Sequence, residues 1–131
     1  MGKTVLVVDD EPDVVAYLCA LLRDNGYETL EAFNGDQALE QARQNKPDLI
    51  TLDITMPEMT GVKAYRTLRE DDDLKRIPVV IVTGIAHEFK QFISTRAHVR
   101  PPDGYLEKPI QPEELLAEVR KHVGGMPAAG V

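Results

Sequence analysis

Two kinds of apolar pattern alternate along this chain. Unbroken runs rich in Val, Ile and Leu, at Thr4-Val5-Leu6-Val7-Val8, at Leu49, Ile50, Leu52 and Ile54, and at Val79-Val80-Ile81-Val82, read as strands buried on both faces. Between them, apolar residues recur every three or four positions. Val14, Val15, Leu18, Leu21 and Leu22 predict a first helix, with Pro12 in its first turn and Asn25-Gly26 as a left-handed stop. Ala38, Leu39 and Ala42 predict a second helix ending before Pro47, and Val62, Tyr65, Leu68 and Leu74 a third ending before Pro78. Phe89, Phe92 and Ile93 suggest a fourth, stopped by Pro101-Pro102, and Leu115, Leu116, Val119 and Val123 a fifth, opened by Pro112 and two glutamates. Tyr27 to Ala32 and Tyr105-Leu106 complete five strands. Asn34-Gly35 reads as a turn, and Gly61 as a flexible joint after Met56-Pro57.

Five strands alternating with five helices predict an α/β fold, a doubly wound, mostly parallel sheet with helices on both faces. Ligands of such sheets bind beyond the carboxyl ends of the strands, where strand order reverses. Asp9 and Asp10 follow the first strand, Asp53 ends the third, Thr83 ends the fourth and Lys108 follows the fifth. All five are expected at one edge.

Composition narrows the partners. A length of 131 residues suits one domain, and a formal net charge of −7 argues against a nucleic-acid-binding surface. The single Cys19 excludes an internal disulfide and shares a helical face with Val15, Leu18 and Leu22, a packing position. No stretch reaches membrane-spanning length and no signal-peptide pattern opens the chain, so a cytoplasmic protein without membrane partners is expected. Residues 1–123 are expected to form the domain and 124–131 a flexible tail or linker. The Asp71-Asp72-Asp73 run reads as a solvated loop.

Three carboxylates gathered at one edge repel: a pair about 4 Å apart at an effective dielectric of about 20 costs about 4 kcal/mol. A divalent cation relieves this. Oxygen ligands favour magnesium, or manganese in its place, over zinc, since His87, His98 and His122 are scattered. Each residue alone has a plain structural role, as helix cap, strand-end hydroxyl or surface charge. Together they suit phosphoryl transfer to a carboxylate: Asp53 as nucleophile, Lys108 and the cation neutralising the phosphoryl oxygens, and Thr83 donating to one of them.

Asp9-Asp10, Asp53 with Met56-Pro57 and Gly61, Thr83-Gly84 and Lys108-Pro109 resemble the signature of the response-regulator receiver domain of two-component signalling, over nearly the whole chain. The resemblance implies the flavodoxin-like strand order 2-1-3-4-5. It implies that Asp53 accepts phosphate from the phosphohistidine of a histidine kinase or phosphotransfer protein. It also implies that Asp10, Asp53 and the backbone carbonyl of Thr55 bind Mg2+, with Asp9 acting mainly through water. Lys108 would contact the phosphoryl group after a cis Lys108–Pro109 bond. Thr83 would move toward the phosphate and Tyr105 rotate inward, switching a surface read by a downstream protein or output domain. Such a domain is a phosphoacceptor and not an enzyme beyond its own phosphorylation and dephosphorylation. Thr55 and Ile85 occupy positions that tune phosphate lifetime in that family. Residues 99–104 depart from the family's short Ala-Gly-Ala turn. Two other readings compete. A receiver-like interaction module that is never phosphorylated is disfavoured by the complete acidic set. A haloacid-dehalogenase-type hydrolase is disfavoured because its nucleophile lies in an Asp-x-Asp pattern after the first strand.

Overall fold

The computed structural model describes residues 2–56, 60–84 and 101–123, with Thr60 and Thr83 described in backbone only. Five strands, β1 (Thr4–Val8), β2 (Glu28–Ala32), β3 (Leu49–Leu52), β4 (Val79–Thr83) and β5 (Gly104–Glu107), are interleaved with the helices α1 (Pro12–Asp24), α2 (Gly35–Asn45), α3 (Thr60–Glu70) and α4 (Pro112–Val123). The sheet runs β2-β1-β3-β4-β5 with each neighbouring pair parallel. The expected doubly wound fold and its strand order are therefore found. The helix expected around Phe89, Phe92 and Ile93 and the tail expected over 124–131 lie outside the described residues.

Strand alternation assigns the two layers. Leu6, Val8, Ile50, Leu52, Val79 and Ile81 pack with Ala38 and Ala42 of α2 and with Tyr65 and Leu68 of α3. Val5, Val7, Leu49, Val80, Val82 and Leu106 pack on the other face with Val15, Leu18, Cys19 and Leu22 of α1 and with Leu115 and Val119 of α4. Cys19 is buried there as a packing residue. Fully burying each such Leu, Ile or Val side chain contributes about 1.5–3 kcal/mol. Two apolar layers thus hold the centre of the sheet and leave its carboxyl edge free to carry charge.

Several local expectations change. At the end of α1 only Gly26 takes a left-handed conformation, with φ 94°, while Asn25 has φ −107°. Asn34-Gly35 is not a free turn: Asn34 is the N-cap of α2, its side chain accepting from the Gln37 amide, and Gly35 is the first helical residue. Leu74 lies in the turn after α3, still buried. In the run before it, Asp71 is half-buried and its Oδ1 accepts from the Asp73 amide, while Asp72 and Asp73 are exposed. Gly61 is no joint but a buried residue in the first turn of α3, where a Cβ would collide with the Asp53 carbonyl oxygen and the Ile54 Cα. Its missing side chain lets α3 rest directly on the backbone at the end of β3.

Candidate functional site

Strand order reverses between β1 and β3, and each of these two parallel strands is followed directly by an aspartate. The Asp9 amide still donates to the Ala32 carbonyl at 3.1 Å, while Asp9 Oδ1 accepts from the Glu11 amide at 2.9 Å. This side-chain turn bends the chain into α1 just before Pro12, which needs no amide partner there. It buries Asp9, 1 % exposed, and leaves Asp10 exposed. Asp53 repeats the device. Its amide donates to the Val8 carbonyl at 3.0 Å, and its Oδ1 accepts both the Thr55 amide at 2.8 Å and the Thr55 hydroxyl at 2.6 Å. Asp53 is also 1 % exposed.

Lys108 arrives from the end of β5, beside a cis Lys108–Pro109 bond. Its Nζ stands 2.9 Å from Asp9 Oδ2, 3.2 Å from Asp53 Oδ2 and 3.6 Å from Glu11 Oε1. One oxygen each from Asp9, Asp10 and Asp53 falls within a mutual 4.8 Å. Burial pushes the Asp9 carboxyl up from its ordinary value; the Glu11 amide and Lys108 pull against this, and the Asp53 charge adds to it. Burial pulls the Lys108 ammonium down, but the nearby carboxylates of Asp9 and Asp53 outweigh it, and the net displacement is upward. Burial thus dominates at Asp9 and the neighbouring carboxylates at Lys108, and one ammonium facing three carboxylates leaves an excess of negative charge.

That excess bears on a metal ion. Asp9 Oδ2 is buried and, although Lys108 is close, receives no well-directed hydrogen bond. A set of carboxylate oxygens with no His or Cys, one of them unsatisfied, fits a hard cation such as Mg2+ or Mn2+.

The fold therefore brings together Asp9, Asp10, Asp53, Thr55 and Lys108. The backbone of Thr83 ends β4 at the same edge, and its side chain lies outside the described residues, as does Ile85. Tyr105 is half-buried against the core layer that contains Tyr65, and burial pushes its phenol up. Two contacts were not anticipated from sequence. One is the hydrogen bond from the Thr55 hydroxyl to Asp53, beyond the carbonyl and lifetime-tuning roles that the resemblance implies; a threonine two residues after a strand-end aspartate is the signal that suggests it. The other is Glu11 beside Lys108. His122, half-buried, is 3.2 Å from Glu118 Oε1 and belongs to no metal-ligand grouping among the described residues. An apolar groove of about 340 Å³ opens beside Lys108, lined by Asp13, Val14, Tyr17, Pro109 and Ile110.

Residues 5–120 match the family described as the response regulator receiver domain. The chain belongs to that family. Among similar receiver proteins, PilH of Pseudomonas aeruginosa is 37 % identical over 121 residues, covering 92 % of this chain and 98 % of its own length. The polar-differentiation response regulator DivK of Brucella anthropi is 33 % identical over 124 residues, covering 95 % and 98 %. The receiver domain of a Pseudomonas aeruginosa sensor histidine kinase, solved with a magnesium ion coordinated in its active site cleft, superimposes with a TM-score of 0.82 at 27 % identity, covering 95 % of this chain and all of that one. Among the described residues of this receiver domain, no helix is long and apolar enough to cross a membrane.

Proposed function

We propose that this receiver domain is a phosphoacceptor switch in which an Asp53 carboxylate oxygen attacks the phosphorus of a phosphohistidine. The P–N bond breaks as the O–P bond forms, and the imidazole leaves with the electron pair and takes up a proton. The observation that carries this reading is Asp53: a carboxylate 1 % exposed, at the edge of the core, oriented at one oxygen by Thr55 and at the other by Lys108. Such orientation is what a nucleophile needs, since fixing its geometry removes entropy from the barrier. Lys108 stands where charge would develop on the phosphoryl oxygens. Asp9, Asp10 and Asp53, with the Thr55 carbonyl, would hold Mg2+ or Mn2+. When bound, that ion supplies positive charge for the phosphoryl oxygens and relieves the repulsion among the carboxylates.

The groove beside Lys108 offers a histidine kinase or phosphotransfer protein an apolar surface contiguous with the phosphoryl site. Phosphorylated Asp53 is larger and more negative, and Thr83 and Tyr105 are the residues through which this change would reach a downstream protein or output domain. Such a switch works in the cytoplasm, without membrane or nucleic-acid contacts of its own, and turns over no substrate beyond its own phosphate.

The test is incubation with Mg2+ and acetyl phosphate followed by intact mass measurement. Wild type is expected to gain one phosphoryl group, and Asp53→Asn none. An unmodified wild type would leave only an interaction module, and rapid multiple-turnover phosphate release would point to a hydrolase.

A further inference from the structure

Arg69, in the last turn of α3, is the only buried cation among the described residues. A guanidinium cannot shed its charge, so its burial requires partners for its donors. Nε donates to the Tyr65 hydroxyl at 3.1 Å, and the guanidinium lies 5.1 Å from the centre of the Tyr65 ring. Nη1 donates to the Ile77 carbonyl at 3.3 Å, and Nη2 to Asp103 Oδ2 at 2.7 Å and to the Pro101 carbonyl at 3.4 Å. Asp103 Oδ2 also accepts the Val79 amide at 2.8 Å, and the Asp103 amide donates to the Val79 carbonyl at 2.8 Å. One side chain thus joins α3, the entry to β4 and the entry to β5.

β5 needs such a clamp. It has four residues, pairs with β4 alone among the described strands, and buries fully only Leu106. A strand so short, opening on glycine after Pro101-Pro102, has little hydrophobic pattern to set its register. Yet its register, Val80 opposite Gly104 through Thr83 opposite Glu107, decides where Lys108 begins. A slip of one residue moves Lys108 by about 3.3 Å and turns its side chain to the other face. Nζ could then no longer lie between Asp9 and Asp53, which follow β1 and β3.

We propose that Arg69 and Asp103 are positioning residues for Lys108, locking the register of β5 from the end opposite the site. This rests on the phosphoacceptor reading only for its consequence in phosphoryl transfer.

The test uses Arg69→Met and, because that variant removes the buried charge and can fail to fold, Asp103→Ala at a partly exposed position. In the first arm, the intact protein is exposed briefly to an amine-selective reagent, and labelling of Lys108 and of the exposed Lys63 and Lys121 is read by peptide mass. Labelling of Lys108 is expected to rise severalfold in either folded variant, with Lys63 and Lys121 unchanged. Unchanged Lys108 labelling in the folded variants overturns the proposal. The second arm measures the initial rate of acetyl phosphate labelling at a temperature well below melting. A misplaced lysine is expected to slow it about tenfold, with no further slowing when the same substitution is added to Lys108→Ala. An equal loss on that background overturns the proposal, because the effect would not then pass through Lys108. If wild type takes up no phosphate, the phosphoacceptor reading fails while the first arm still decides the register lock.

Discussion

Replacing Lys108 by Met removes the only cation facing the pocket among the described residues while keeping an unbranched side chain of similar length. The Nζ contacts of 2.9 Å to Asp9 and 3.2 Å to Asp53 each correspond to about 5–6 kcal/mol of gross attraction at an effective dielectric of about 20. Carboxylate oxygens 4.8 Å apart, the widest separation in the cluster, repel by about 3.5 kcal/mol per pair on the same scale. Desolvation consumes most of the attraction, and removing one partner of a buried pair costs about 3–5 kcal/mol. Lys108 is 25 % exposed, and solvent screening moves the expected loss to about 2–3 kcal/mol. For a domain of this size that lowers Tm by roughly 10 °C. A divalent cation should take over the lost charge: at a hundredfold excess over its Kd, one bound ion adds about 2.7 kcal/mol, and more to the variant, where no ammonium competes for the same oxygens. Thermal melts of both proteins by circular dichroism at pH 7, in chelator and in saturating Mg2+, measure this directly. The deficit of Lys108→Met is expected to shrink by half or more in Mg2+. Equal deficits in the two conditions would show that lysine and metal do not share the carboxylates, and the electrostatic account of the pocket would fail.

Two further outcomes follow from the same pocket. Burial raises Asp9 in the folded state above 3.8, so its contribution to stability is fully present below that unfolded value and lost as pH rises through the folded one; metal-free Asp9→Asn should therefore exceed wild type in urea midpoint at neutral pH, with the difference vanishing toward pH 4. Gly61→Ala should lose about 1–3 kcal/mol in urea unfolding, because the new methyl meets the backbone of Asp53 and Ile54, and acetyl phosphate labelling of Asp53 should slow with it.

The amino-acid sequence alone determined the succession of the described strands and helices, because each is declared locally. β1 occupies Thr4–Val8 as its β-branched run predicts, Pro12 and Pro112 open helices that they cannot interrupt, Pro47 follows the end of α2, and Pro78 stands directly before β4, although α3 already stops at Glu70. Parallel topology then placed Asp9, Asp10, Asp53 and Lys108 at one edge, since crossover connections return every strand in the same direction. What only the tertiary structure decided depends on chain that arrives from far away. Arg69 reads as one more charge on an amphipathic helix until the segment carrying Pro101 and Asp103 supplies its acceptors across more than thirty residues. Gly61 reads as flexible until α3 settles on β3. The two oxygens of Asp53 become distinct only when Thr55 claims one and Lys108, 55 residues on, claims the other. Hydrophobic periodicity is a property of neighbours along the chain. The satisfaction of a buried charge is a property of neighbours in space, and only the folded molecule supplies those.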